Sequence, residues 1–575
     1  MTFSLVAGRW RRPGPPLADD RRRREAGASF RGVAVAPRVD CLTIPKVLIT
    51  PVVAMSIAMF VASPWIDQRL VWCEWVGLAA ALLMVGHMRG WWGELWTLIS
   101  AATALAIAFH WAPEVLAYAL NSEPRVGLLA TAPIVLWDAV RLALPFWFAS
   151  RVATDPLRAW LPAALLATAL EAFVPAVFPW KLGYAQIAWP ALVQAADLLG
   201  PEITTFVIFA HAGVLAWLVM LVTLVMLVMA MPRGTGTDQR TAWAALAPPP
   251  VSLLALAVCI INLAYGLGAM AYWTWAMEAA PTFRVAVVQA NPEDEDGIDS
   301  LRTMTRRASL AAGGRPDLVC WPECSGGSYS AELDSLADSG RVAELSRLPH
   351  KGMRPLEQPA CPLLFGGKIY TGHPEKPRAL HQSAILIDTA ETILGCYHKR
   401  HLMPFGEYVP GSDLYPEVRR HFSMQDLLTA GVDARVLTWE QGPRLGVMLC
   451  YEDMIPSAAR SLVHASANVL VSLINGSAFT TPLTLAQHRL LSQLRAVECR
   501  RSLVRCAATG ETCVISPTGE VTASLPLHAR AALVADVPIL EHTTVACRIG
   551  SAFPLACGAA AMTLAVHGRK RRVRR

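Results

Sequence analysis

Eight apolar stretches, each about long enough to cross ~30 Å of hydrocarbon as a helix, constrain this chain more than any other feature. They lie near residues 46–64, 71–88, 94–111, 127–150, 159–178, 204–231, 251–273 and 549–566. Across 575 residues, 54% are hydrophobic and 17% charged, which excludes a disordered chain and an ordinary soluble enzyme. Membrane residence is the expectation. Glu94, Asp138, Arg141 and Glu171 interrupt these runs, so each is expected at an interface or turned into the bundle interior, where a partner lowers the cost of a charge.

An even number of spans puts both ends on one side. Residues 1–46 carry ten basic and four acidic groups, and residues 569–575 carry six basic groups, whereas the long middle of the chain is slightly acidic. Basic excess beside apolar segments predicts that both ends are cytoplasmic. Arg89, Arg151, Arg158, Arg233 and Arg240 fall on the same side, against Arg69, Arg125 and Lys181 on the other. A nucleic-acid partner is not expected, because the basic excess sits on tails rather than on a folded face. The first spanning run begins near Pro45, behind Arg21–Arg24, which predicts an uncleaved anchor. The expected organisation is therefore a flexible basic tail over 1–45, a membrane domain of about seven helices over 46–273, an outward-facing domain over 274–548, a final span over 549–566 and a basic tail over 567–575. A monomer is expected.

The segment 274–548 has a different texture. Short β-branched runs bounded by Gly, Pro and Asp predict strands at Arg284–Gln289, Asp317–Trp321, Pro362–Tyr370, Gln382–Asp388, Arg444–Cys450 and Asn468–Ile474. Between Pro482 and Arg500, Leu483, Ala486, Leu490, Leu494 and Val497 make one helical stripe. Strands alternating with helices predict one α/β domain with a buried sheet. The thirteen cysteines are scattered through apolar runs and show no metal-ligand spacing, so neither a disulfide framework nor a metal centre is expected.

Three predicted strand ends carry residues suited to acyl chemistry: Asp317-Leu-Val-Cys-Trp-Pro-Glu323, Cys396-Tyr-His-Lys399-Arg-His-Leu-Met-Pro-Phe-Gly-Glu407-Tyr-Val-Pro410, and Leu445-Gly-Val-Met-Leu-Cys450-Tyr451-Glu452. A thiol attacks an acyl carbon as thiolate and needs a base, which a glutamate in a partly apolar pocket provides. The tetrahedral oxygen then needs a fixed positive charge, which a lysine provides. Read singly, Cys450 is a packed thiol and Lys399 a solvated basic turn, and surface carboxylates are the lesser alternative for Glu407 and Glu452. His488 reads as a core hydrogen-bonding histidine, and Cys320 and Cys324 as thiols whose spacing does not suit a disulfide.

Together these segments resemble the Glu–Lys–Cys motifs of the nitrilase, or carbon–nitrogen hydrolase, superfamily, and within it the membrane-embedded apolipoprotein N-acyltransferase family. Phe178-Pro-Trp180-Lys-Leu-Gly183-Tyr184-Ala-Gln186, followed by Gln194 and Asp197, is similar to that family's outward-facing loop, and Gln487-His488 with Arg495-Ala-Val-Glu498 to its helix behind the nucleophile. The resemblance implies an αββα sandwich beside the multi-span helical domain. It implies Cys450 as nucleophile, Glu323 as base and Lys399 as oxyanion partner, supported by Glu407, Tyr451 and Glu452. The implied reaction takes an acyl chain from a phospholipid and gives it to the amine of a diacylglyceryl-cysteine lipoprotein in the inner membrane of a bacterium, with the catalytic domain periplasmic, without cofactor or metal. The chain departs from the family's pattern at Asn475-Gly-Ser-Ala478-Phe479, which lacks an indole, at Ala508-Thr-Gly510, which lacks an amide, and at Glu171-Ala-Phe-Val-Pro175. A membrane-tethered amidase and a nitrilase-like accessory of plasmid transfer are the alternative functions.

Overall fold

A computed structural model of the chain describes residues 46–88, 90–120, 122–230, 248–291, 296–310, 314–326, 328–331, 346–347, 360–373, 376–390, 392–411, 428–440, 442–477, 479 and 481–573. The tail 1–45, Arg89, Arg233, Arg240 and Ala478 lie outside the described residues. The chain divides into two units, Met1–Pro51 and Val52–Arg575. The first is described only over 46–51, which are helical. The second holds the sheets and nearly all of the helices.

The apolar stretches form helices α1 (Lys46–Ile66), α2 (Val71–Leu83), α3 (Trp91–Ala108), α4 (Ala112–Ala119), α5 (Pro124–Val152), α6 (Trp160–Phe173), a short α7 (Ala196–Leu199), α8 (Ile203–Ala230) and α9 (Pro250–Glu278). Among the described residues, four helical segments are long and apolar enough to span a bilayer by themselves: Gln68–Gly86, Pro124–Val152, Ile203–Met229 and Pro250–Glu278. Three apolar runs behave differently from uninterrupted spans. The run near 94–111 is one arm of a pair, α3 and α4, bent by 70°, where the helix breaks at Phe109 and Pro113 restarts it. The run near 159–178 is helical only over fourteen residues, because Val174 turns extended ahead of Pro175. The last run starts its helix at Ala552, after Gly550 at φ 58°. At the other boundary, α9 continues past residue 273 to Glu278 before the first strand.

The charges interrupting these runs are matched. Asp138 and Arg141 pair at 3.2 Å on one face of α5, and the Trp180 indole donates to Asp138 at 3.1 Å. Glu171 accepts from the Leu182 N–H at 2.7 Å and the Thr205 hydroxyl at 2.6 Å, and Glu94 pairs with Arg151. Gly266 is required by packing: a Cβ there would lie 1.7 Å from the Ala191 carbonyl oxygen, where α9 crosses the loop before α7.

The remainder forms two sheets packed face to face. The first is built from β1 (Thr282–Gln289), β2 (Leu318–Cys320), β3 (Ser328–Ala331), β4 (Ser346–Arg347), β5 (Leu363–His373), β6 (Lys376–Ile387) and β7 (Ile393–His398), completed by the last strand of the chain. The second contains β8 (Leu445–Leu449), β9 (Val469–Ile474), β10 (Leu503–Ala507), β11 (Cys513–Ile515) and β12 (Val521–Ser524), in the order 12-11-10-9-8. β8, β9 and β10 run parallel, and every residue of each is buried, as expected for continuous apolar strands covered on both faces. The last strand, β13 (Ala531–Pro538), returns to pair antiparallel along the full length of β1. Val285, Val287 and Leu364 of one sheet and Val447, Leu449, Leu470 and Val504 of the other form the shared core.

Helices cover both outer faces. α10 (Gly297–Ser309) places Leu301 and Ala308 against Ala286, Val288 and Val319. α11 (Pro456–His464) and α12 (Pro482–Cys499) cover the second sheet. α12 is buried on two sides: Ala496 and Cys499 belong to the sheet core, whereas Leu490, Leu491, Leu494 and Val497 belong to the core of the helical bundle. This is the αββα sandwich, and its inner helix is also a bundle helix. A short α13 (Val545–Ile549) leads into the final helix α14 (Ala552–Val573).

Candidate active site

Glu323, Lys399 and Cys450 each lie just beyond a strand end. Glu323 follows β2 in a turn, Lys399 immediately follows β7, and Cys450 immediately follows β8. The two sheets face each other, so these ends converge. Lys399 Nζ lies 3.5 Å from Glu323 Oε1 and 2.5 Å from Glu407 Oε1. The backbone of Asn475, just after β9, ties Glu323 to Cys450: its N–H donates to Glu323 Oε2 at 3.1 Å and its carbonyl lies 3.9 Å from Cys450 Sγ. Lys399 is 1% exposed and Glu323 4%, whereas Cys450 is partly accessible.

Backbone conformation holds this arrangement at a cost. Three of the non-glycine residues with positive φ are here: Cys324 at 63°, Phe405 at 63° and Cys450 at 47°. Left-handed backbone costs a side-chain-bearing residue of order 1 kcal/mol and persists where the surroundings over-determine it. At Cys450 it turns the chain sharply from β8 into a 3-10 turn over Cys450–Met454, presenting the sulfur outside the sheet. The Glu323 turn sits hard against β5, where a Cβ on Gly366 would approach the Glu323 Cα to 2.6 Å.

Burial and charge pull these groups in different directions. Burial, reinforced by Glu407, raises the Glu323 carboxyl above the usual carboxylate range despite Lys399 beside it and the Asn475 N–H. Burial alone would lower the Lys399 ammonium, but Glu323, Glu407 and Cys450 outweigh it and hold the ammonium well above its ordinary value. Burial and then the Glu323 charge push the Cys450 thiol well above its ordinary value.

Glu407 and Glu452 do different things. Glu407 holds Lys399 with one oxygen and accepts the Met403 N–H at 2.7 Å with the other, closing the Met403–Glu407 turn. Glu452, fully buried, pins the end of β7 and the turn after it to the end of β8. Its Oε1 accepts from the Tyr397 hydroxyl at 2.8 Å and the N–H groups of Arg400 at 2.8 Å and His401 at 3.0 Å, and its Oε2 from the Leu449 N–H at 2.9 Å. Glu452→Gln turns an NH2 toward one set of donors. At about 1–3 kcal/mol for a buried group left unmatched, the variant is expected to unfold several degrees lower in detergent; an unchanged midpoint would remove Glu452 from this role.

Tyr451 points the other way, donating to the Val177 carbonyl at 3.0 Å in the loop after α6. The next residue of that loop, Phe178, packs edge-on against Trp111 at 5.1 Å, and Trp111 against Phe479 at 6.4 Å. The rest of the loop is also docked. Tyr184 accepts from Arg495 at 3.2 Å, and Arg500 grips Asp197 at 2.7 Å and Gln194 at 2.6 Å.

A buried polar cluster behind Cys450 is not marked out as a unit by the sequence. Asp453 receives His488 Nε2 at 2.8 Å, the Ser472 hydroxyl at 2.8 Å and Arg505 at 3.2 Å. Burial alone would raise the Asp453 carboxyl, but His488 and Arg505 hold it below its ordinary value. His488 is therefore a buried hydrogen-bonding residue of α12. The only sequence signal for this cluster is an acid immediately after Cys-Tyr-Glu with an arginine on a strand that is otherwise apolar. Cys320 and Cys324 are both free thiols.

Comparison with known proteins agrees with this architecture. Residues 284–544 match the family model for carbon–nitrogen hydrolases. The chain is 29% identical over 407 residues to an apolipoprotein N-acyltransferase of Geobacter metallireducens, covering 69% of this chain and 71% of that one. It is 29% identical over 460 residues to one from Azotobacter vinelandii, covering 76% and 79%, and 27% identical over 483 residues to one from Pseudomonas putida, covering 79% and 83%. These matches, over 407 to 483 residues, are longer than the 261-residue hydrolase match and so reach into the helical part. Residues 284–544 thus match a carbon–nitrogen hydrolase domain, and the chain is similar over most of its length to bacterial apolipoprotein N-acyltransferases.

Proposed function

We propose that this protein transfers a fatty acyl chain from a phospholipid, through a thioester on Cys450, to the α-amine of a diacylglyceryl-cysteine lipoprotein. N-acyl transfer in general is supported by the similarity to proteins named apolipoprotein N-acyltransferase and by the carbon–nitrogen hydrolase match. The observation that carries the finer reading is the hydrogen bond from Tyr451, next to the nucleophile, to Val177 in a loop of the helical part. It supports a thiol held at the level of the bilayer-facing loops, beside the aromatic wall of Trp111, Phe178 and Phe479. A donor with fatty chains suits such a position; a small water-soluble amide has no use for it.

The steps follow from the site. Glu323 takes the Cys450 proton as the sulfur attacks the donor's ester carbonyl, and Lys399 balances the charge on the tetrahedral oxygen. Collapse expels the lysophospholipid alkoxide, which takes the proton from Glu323 and leaves the thioester. The lipoprotein amine then attacks, gives its proton to Glu323, and the returning proton restores the thiol. Two half-reactions through one sulfur give ping-pong kinetics. In this reading 274–548 faces the periplasm from the inner membrane, 46–273 and 549–566 form the membrane part, and 1–45 and 567–575 are cytoplasmic tails.

The test is to incubate purified protein with labelled phospholipid and a diacylated lipopeptide. Label on the peptide amine, lost in Cys450→Ala, is the expected result. Release of free acid alone would make the protein a hydrolase, and inertness toward every acyl compound would make it an accessory.

The pH dependence has a defined sign. Glu323 is competent as a base only when ionised, and its carboxyl is raised, so the acylation rate is expected to rise with pH through one ionisation above the ordinary carboxylate range. Stability moves oppositely: the folded state holds this proton where the unfolded chain has lost it, so stability contributed by Glu323 falls as pH rises through the same window. Single-turnover acylation against pH checks this, and a flat profile from weakly acidic to neutral pH would refute it.

A further inference from the structure

The mechanism leaves a second pair of sulfurs unused. Cys499, the last residue of α12, and Cys547, in the middle of α13, are 0% and 1% exposed, and their Sγ atoms lie 3.7 Å apart. Their backbones are tied as well. The Thr544 hydroxyl donates to the Glu498 carbonyl at 2.8 Å and accepts the Cys547 N–H at 3.1 Å, so one oxygen bridges the residue before Cys499 to Cys547 itself. Arg501, two residues past Cys499, reaches the His542 carbonyl at 2.5 Å. The end of α12 and the start of the 540s strap are therefore in register on both sides of the sulfur pair. Other buried thiols are aimed elsewhere: Cys506 turns its sulfur to the carbonyls of Val288 and Cys320 at 3.5 and 3.3 Å.

We propose that Cys499 and Cys547 form a disulfide in the mature protein, a staple between the helix behind the nucleophile sheet and the strap that leads into the final helix. Closing the bond needs the sulfurs to approach from 3.7 Å to about 2.05 Å, a side-chain rotation rather than a backbone rearrangement. The reaction is thiol–disulfide exchange. The two thiols give up two protons and two electrons to the disulfide of a dithiol oxidoreductase, which leaves with two thiols while the Cys499–Cys547 bond forms. Because both sulfurs are buried in the finished fold, exchange takes place while α13 is still docking. The staple adds nothing to the chemistry at Cys450. It closes the loop from α12 through the last strands and holds α13, and with it the entry to α14, against the sandwich.

This inference rests on the proposed outward orientation of 274–548, since a cytoplasmic domain is kept reduced. The experiment therefore reads both properties in one preparation. Cells expressing the full chain are quenched in acid, denatured with a maleimide without reductant, and digested; the Cys499 and Cys547 peptides are then identified by mass before and after reduction. In parallel, an Asp299→Cys variant, at a site whose side chain is 80% exposed, is treated with a membrane-impermeant maleimide on intact spheroplasts. The expected result is a linked peptide pair that separates on reduction, with the Asp299→Cys variant labelled from outside. Wild-type protein is also expected to unfold roughly 5–10 °C lower after reduction, a difference absent from Cys547→Ala. Both peptides carrying maleimide overturns the disulfide. If the Asp299→Cys variant is then labelled, the orientation stands and the staple alone has failed; if it is not, both have failed together.

Discussion

Cys450→Ala is expected to abolish acyl transfer while leaving the protein folded and inserted. Removal of a covalent nucleophile costs up to about 10⁶ in kcat where the whole mechanism runs through it, so the variant should fall at least ~10³-fold, to the detection limit of the lipopeptide assay. It should also accumulate no hydroxylamine-labile label from the phospholipid. The loss is not a folding effect. Alanine keeps the same Cβ at the same left-handed backbone, so the strain at φ 47° is unchanged. A second variant separates chemistry from fold: Cys450→Gly relieves that strain, by up to about 1 kcal/mol, and is expected to be equally inactive but no less stable than wild type. Transfer surviving in Cys450→Ala would mean that another group carries the acyl chain, and the proposed mechanism would be wrong.

Lys399→Met is expected to damage both rate and stability. The ammonium is 1% exposed and sits between the carboxylates of Glu323 and Glu407 at 3.5 and 2.5 Å. Without it the tetrahedral oxygen loses its positive partner, worth ~10²–10³ in rate. Two carboxylates then share a pocket with no counter-charge, which pushes Glu323 further toward its protonated form and removes the base. The combined loss should exceed about 10³-fold. Leaving buried charge unpaired costs about 3–5 kcal/mol, read as a clear drop in the unfolding midpoint. The double variant Lys399→Met with Glu407→Gln removes one of the stranded charges, so it should regain part of that stability and none of the activity. If Lys399→Met retains transfer within tenfold of wild type, the oxyanion role assigned to this residue fails.

The parts of the fold legible in the sequence are those where burial repeats along the chain. β8 and β9 lie under helices on one face and the other sheet on the other, so every position is buried and nearly all are apolar, and the strands stand out. β13 is not visible in the same way. Its burial is partial, with Leu533 and Ala535 against one core and Ala532 and Val534 against the other, and its partner β1 is far away in the sequence, so neither local composition nor spacing marks the pairing. The candidate site divides similarly. Glu323, Lys399 and Cys450 each end an apolar run on a residue with chemistry, a contrast visible in a single segment. Asn475, which joins Glu323 to Cys450, acts through its backbone and leaves no mark in residue type. Asp453, His488 and Arg505 neutralise one another only after α12 has packed on its strands.

What the chain's own order of residues determined is which segments are too apolar for water, which alternate as strands and helices, and which carry a thiol, an acid or an ammonium. Those properties depend on transfer free energy and side-chain chemistry over a few neighbouring positions. Tertiary structure alone decided that Lys399 comes within 3.5 Å of Glu323 and that Asn475 links Glu323 to Cys450, that α12 belongs to two cores at once, and that the α3–α4 run bends by 70°. Each of these depends on packing between elements remote in sequence, where the cost of a buried charge or a strained backbone is met by partners that local sequence does not contain.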